Sequence, residues 1–150
     1  DMFSHTKKLE DVSSDDFDVL YIPGGHGCCN DFVGNDSVKK AIESMYAASK
    51  TVAIVCHGPI ALVECFKADG TTPLVQGLTV TGFSDSEEAA VGHTDHVRYL
   101  IETKFKEQGA TYEKAEQDWS SHVCVDGNLV TGQNPASSTA AAKKVLELLA

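Results

Sequence analysis

Two short apolar runs, each ending in a tight turn and separated by one amphipathic segment, constrain this chain more than any other feature. The first, residues 18–22 (Asp-Val-Leu-Tyr-Ile), is closed by Pro23-Gly24-Gly25; the second, residues 51–55 (Thr-Val-Ala-Ile-Val), runs straight into Cys56-His57-Gly58-Pro59. Neither alternates polar with apolar residues, so each reads as a strand buried on both faces, the pattern of a parallel sheet covered by helices. Between them Val38, Ala41, Ile42, Met45 and Tyr46 recur at i, i+3, i+4, i+7 and i+8. That spacing is one buried helical face, with Asn35 or Asp36 as its cap.

The alternation continues along the chain. Residues 60–66 read as a helix, residues 78–83 as a third strand, and Val97, Leu100, Ile101 and Phe105 as a helix stopped by Gly109. Residues 122–125 and 129–131 read as a hairpin turning at Asp126-Gly127-Asn128, or as two short strands, and a final helix is expected from about Ala136 to Leu149. The expected fold is α/β: a doubly wound, mainly parallel sheet with helices on both faces and right-handed connections. A length of 150 residues, 42% of them apolar, suffices for a single domain over 1–150 and not for two.

Charge and cysteine usage narrow the function classes. With 22 acidic against 12 basic residues, a net charge of −10 without any basic cluster, nucleic acid is not expected as a partner. No apolar stretch approaches the ~20 residues of a membrane span, so no membrane partner is expected either. The five cysteines show neither a paired nor a C-x-x-C spacing. A disulfide framework, a metal and a cofactor are therefore not expected, and a reducing, cytoplasmic setting is. Adjacent Cys28 and Cys29 read as loop cysteines.

Chemistry concentrates where the two strands end. In open α/β sheets ligands bind beyond the carboxyl ends of the strands, and a turn passing directly from strand into helix pushes its central side chain, here Cys56, into that crevice. Gly58 allows the two elements to pack closely, and the following helix N-terminus is expected to favour thiolate over thiol. The Gly24-Gly25-His26-Gly27 loop offers backbone N–H groups for a developing oxyanion. Six histidines, His5, His26, His57, His93, His96 and His122, compete as the base. Adjacent side chains on a sharp turn usually diverge, which disfavours His57 and prefers His93 or His122. Glu87 and Glu88 follow the third strand and are the candidate acids.

Four segments in order, residues 21–27 (Tyr-Ile-Pro-Gly-Gly-His-Gly), 53–59 (Ala-Ile-Val-Cys-His-Gly-Pro), 81–88 (Thr-Gly-Phe-Ser-Asp-Ser-Glu-Glu) and 130–137 (Val-Thr-Gly-Gln-Asn-Pro-Ala-Ser), together resemble the DJ-1/ThiJ/PfpI superfamily. The resemblance spans essentially the whole chain. It is nearest the branch of heat-shock chaperones and glutathione-independent glyoxalases, class I glutamine amidotransferase-like proteins. It implies a flavodoxin-like domain with Cys56 as nucleophile, His57 as the adjoining histidine, and Glu88 as the third member, Glu87 being the alternative one residue away. Backbone N–H groups of Gly25 and His57 would form the oxyanion hole, and the Gln133-Asn134-Pro135 loop would lie near the pocket.

The activity so implied is conversion of methylglyoxal to lactate without glutathione, a small aldehyde being the substrate. A stress chaperone or a redox sensor without turnover is the second reading, and a cysteine amidase or peptidase the third. Members of the superfamily begin with a strand, a helix bearing a further glutamate, and another strand, upstream of the segment that residues 1–11 resemble. Without that part the sheet would lack a central strand and leave unpaired edges. A companion N-terminal segment is therefore expected to complete the domain, and a homodimer of the whole.

Overall fold

The computed structural model describes residues 2–150. Its centre is a four-stranded sheet in the order β1-β2-β6-β5, from β1 (Val19–Ile22), β2 (Thr51–Val55), β5 (Val123–Asp126) and β6 (Leu129–Gly132). β1 and β6 both lie parallel to β2, and β5 returns antiparallel to β6. All five residues of β2 are buried, as the absence of alternation requires for a central strand. The β5–β6 hairpin turns through Gly127 at φ +56°, a conformation that glycine adopts without steric cost.

Helix α1 (Cys28–Asp31) is a single turn beyond β1, and α2 (Asp36–Ala47) carries the chain back to β2. Asn35 is the cap of α2: its Oδ1 accepts from the N–H groups of Ser37 and Val38, and Val38, Ile42 and Met45 are the buried stripe. After the turn at Cys56 comes a 3-10 helix, Gly58–Glu64; α3 (Asp85–Ala90), α4 (Ile101–Glu107) and α5 (Ser138–Leu149) are the remaining α-helices, and shorter 3-10 turns precede β1 and α5. The fold is α/β, a mainly parallel sheet with helices.

Several elements depart from the sequence expectation. The segment after Cys56 is apolar and buried on all sides (Ile60, Ala61, Leu62, Val63), so it carries no 3.6-residue stripe by which an α-helix would differ from the 3-10 helix it forms. Of residues 78–83 only β3 (Thr79–Val80) is strand, and it pairs with β4 (Thr111–Tyr112) in a separate two-stranded ladder. The reason is competition for backbone donors: Thr81 N–H bonds the Thr131 hydroxyl and Phe83 N–H bonds the Cys56 carbonyl. Helix α4 begins at Ile101, so Val97 packs on the core from a turn. Cys28 and Cys29 lie in a helical turn, buried, and all five cysteines are free thiols.

β1 is an edge of the described sheet. Val19, Leu20 and Tyr21 are only half-buried, and a groove of about 630 Å³ runs along them, lined also by Leu9, Phe17 and Met45. Among the described residues no helix is long and apolar enough to cross a membrane.

Candidate active site

The turn between β2 and the 3-10 helix is strained. Cys56 has φ +63°, in the left-handed region where a Cβ costs roughly 1–2 kcal/mol. Its neighbours hold it there: Cys56 N–H donates to the Gly132 carbonyl at 2.9 Å and its carbonyl accepts from Phe83 N–H at 2.9 Å. Close approach on both sides requires glycine. A Cβ on Gly24 (φ +92°) would sit 2.3 Å from the Val55 carbonyl oxygen and 2.9 Å from Cys56 Cβ, and one on Gly58 would sit 2.7 Å from Ile54 Cγ2.

The positive φ reverses the expectation that neighbouring side chains diverge. It turns Cys56 Sγ toward the next ring, 3.3 Å from His57 Nδ1, while His57 Nε2 lies 2.7 Å from Glu88 Oε2. A carboxylate only accepts, so Nε2 carries the ring proton and Nδ1 is left to accept from the Cys56 thiol. Phe83 lies over the His57 ring at 4.0 Å. The second oxygen of Glu88 accepts from His26 Nε2 at 2.9 Å, and the His26 ring rests 3.8 Å from that of His57. His26 thus contributes a side chain as well as a place in the glycine loop.

Burial sets the charge state. It pushes the Cys56 thiol up from the ordinary cysteine range; the backbone N–H groups of Gly25 and His57, both directed at the sulfur, pull it partly back, and the charges of Glu87 and Glu88 raise it further. Burial likewise holds the His57 pKa down despite Glu88. The resting pair is therefore neutral thiol and neutral imidazole, not the thiolate expected from a helix N-terminus: Cys56 is only 7% exposed, and desolvation outweighs two backbone donors.

Other predicted residues lie elsewhere. Glu87 does not touch His57. It is fully buried and accepts from Ser84 N–H and Oγ, Trp119 N–H and Asn134 Nδ2, closing the capping box of α3. Those bonds hold its carboxyl low although burial opposes them. Asn134 belongs to that network, bonding Glu87 and the Ser120 carbonyl. Gln133 accepts from Ala115 N–H. His93 packs edge-on to His26 at 4.8 Å and has no contact with Cys56, while His122 pairs with Glu113 and Cys124. Sequence reasoning missed Phe83, which packs on His57, and Trp119, whose ring meets that of Phe83 at 5.7 Å; nothing in their spacing marks them. His26, His57 and Glu88 offer ligand atoms within 4.8 Å of one another, which could hold a cation in place of the two ring protons.

A family model described as DJ-1/PfpI family matches residues 1–148. The chain belongs to the DJ-1/PfpI family. Within it, the chain is 31% identical over 144 residues to Glyoxalase 3 of Candida albicans, covering 93% of this chain and 61% of that protein. It is 30% identical over 147 residues to glutathione-independent glyoxalase HSP31 of Saccharomyces cerevisiae, covering 95% and 62%. Among solved structures, glyoxalase III from Candida albicans matches with TM-score 0.86 and 30% identity, over 93% of this chain and 60% of that one. Rapid Encystment Protein 24 KDa of Francisella tularensis matches with TM-score 0.90 and 35% identity, over 96% and 63%. The chain spans less than two thirds of the length of each of these DJ-1/PfpI proteins.

Proposed function

We propose that this domain carries out glutathione-independent glyoxalase chemistry, converting methylglyoxal and water to lactate with Cys56, His57 and Glu88. The observation that supports the reading best is the continuous chain from Cys56 Sγ through His57 to Glu88, with Gly25 and His57 N–H groups at the sulfur. Relatives named as glyoxalases add to it.

The neutral resting pair suits this reaction. As the sulfur attacks the aldehyde carbon, its proton passes to His57 Nδ1 and the forming alkoxide meets the two backbone N–H groups. Returning that proton gives a hemithioacetal. His57 then takes the hydrogen of the former aldehyde carbon as a proton while the ketone oxygen gains a proton from water, giving an enediol; return of the His57 proton to the adjacent carbon, with the first hydroxyl's proton lost to water, leaves a lactyl thioester. Water cleaves the thioester to lactate and regenerates the thiol, so one water is consumed per turnover. Glu88 stabilises the imidazolium each time it forms.

The edge position of β1 bears on the same reading. The unpaired edge of β1 and the groove along it fit a companion segment that pairs as a further strand, completing the domain in the cytoplasm. Oxidative sensing draws less support, because a sensor cysteine needs an exposed thiolate and Cys56 is buried with a raised pKa. The test is methylglyoxal consumption and lactate formation by the full-length protein without glutathione. Turnover that is lost in Cys56→Ser supports the reading; turnover unchanged in Cys56→Ser, or none in the wild type, sinks it. Suppression of aggregation that persists in a protein without turnover would favour the chaperone.

A further inference from the structure

A second set of chemistry-bearing side chains lies outside the Cys56 site. His122 and Cys124 stand two apart at the start of β5, and strand alternation points i and i+2 side chains to one face. There Cys124 Sγ lies 3.6 Å from His122 Nε2, which lies 3.8 Å from Glu113 Oε2, and all three ligand atoms fall within 4.8 Å of one another. We propose that Glu113, His122 and Cys124 form a binding site for a transition-metal dication of the zinc type, tying the β3–β4 ladder to the main sheet.

The sulfur–nitrogen distance matches what such an ion demands. A tetrahedral zinc with sulfur at about 2.3 Å and nitrogen at about 2.1 Å holds those two atoms about 3.6 Å apart, and nitrogen and oxygen about 3.4 Å apart. The sulfur–nitrogen separation already has that value and the nitrogen–oxygen separation exceeds its target by a few tenths of an ångström, while the carboxylate, within 4.8 Å of the sulfur, is on a half-exposed side chain that can close in on both. A thiolate, an imidazole and a carboxylate are the donor set of zinc or cobalt rather than of magnesium or calcium.

The scaffold around the ligands is rigid. His122 N–H donates to Ser137 Oγ, its carbonyl accepts from Gln133 N–H, and Glu113 N–H donates to the Val80 carbonyl. Cys124 is buried yet does not belong to the apolar core cluster, so packing alone does not account for a thiol there. On binding, the thiol proton leaves to solvent and the metal takes its place. The fourth position faces solvent, since His122 and Glu113 are both partly exposed, and water fills it. The sequence expectation of no metal rested on the absence of C-x-x-C; a His-x-Cys pair on a strand is a different pattern and depends on Glu113 arriving from another strand.

The experiment uses the full chain stripped with a chelator, then titrated with Zn²⁺ alone against a chromophoric competitor and, separately, with Co²⁺. The expected result is an intense near-ultraviolet thiolate–cobalt band and a Tm raised by Zn²⁺. Cys124→Ser should abolish the band, and His122→Ala should weaken Zn²⁺ binding on the order of 100-fold or more. Glu113→Gln, at an exposed position that leaves folding intact, should weaken it by roughly 10-fold or more. Cys56→Ser should leave the band unchanged and His26→Ala should leave the Zn²⁺ affinity unchanged, which separates this site from the Cys56 thiol and from the His26, His57 and Glu88 cluster. Absence of the band, its loss in Cys56→Ser but not in Cys124→Ser, or Zn²⁺ affinity unaffected by Glu113→Gln would each overturn the proposal.

Discussion

Two adjacent glutamates, both buried, separate structure from chemistry, and exchanging each for glutamine tests the division. Glu87 accepts four hydrogen bonds, two at each oxygen: Ser84 N–H (3.1 Å) and Oγ (2.9 Å) at one, Trp119 N–H (2.8 Å) and Asn134 Nδ2 (2.8 Å) at the other. In Glu87→Gln the amide NH2 fits only toward Ser84, where the hydroxyl can turn to accept from it but the Ser84 N–H is left facing a donor. One buried donor so orphaned costs about 1–3 kcal/mol, which is the loss expected at pH 7. Urea unfolding of wild type and variant at constant pH measures it.

The pH dependence carries a sign. The Glu87 carboxyl is held below its ordinary value of 4.5 in the fold, so its contribution is present above that pH and is lost as pH falls through the lower folded value. The gap between wild type and Glu87→Gln should therefore narrow in acid. Glu88→Gln behaves oppositely. Its partners are imidazoles that can exchange tautomers, so stability changes little, whereas turnover falls on the order of 10²–10⁴-fold because the imidazolium loses its counter-charge. A Glu87→Gln variant destabilised by less than about 0.5 kcal/mol, or one inactive while fully stable, would refute the assignment.

Alkylation by iodoacetamide should show Cys56 titrating above the ordinary cysteine range, because burial raises its thiol; peptide mapping across pH checks it, and a midpoint below that range would contradict the neutral thiol. Gly58→Ala should cost about 1–3 kcal/mol by overpacking, since its Cβ would meet Ile54 Cγ2 at 2.7 Å and Ile22 Cγ2 at 3.0 Å, and thermal unfolding reads the loss. Because burial holds His57 low, the acid limb of kcat/KM against pH should lie below 6.5; a limb above that value would contradict the neutral imidazole.

Local chemistry was legible in the sequence because it depends on neighbours along the chain. Unalternating runs at residues 18–22 and 51–55 marked the two parallel strands, of which only β2 is buried throughout, while Asn35 marked the start of α2 and Cys56-His57-Gly58-Pro59 the tight turn after β2. Long-range competition was not legible. Whether Thr81 and Phe83 N–H groups continue a strand or bond Thr131 and Cys56 is decided only when the elements meet, and so is the choice between Glu87 and Glu88, one residue apart on a short helix. The protonation state of Cys56 and His57 belongs to the tertiary structure for the same reason: desolvation is a property of everything packed around a group, and no spacing of residues encodes it.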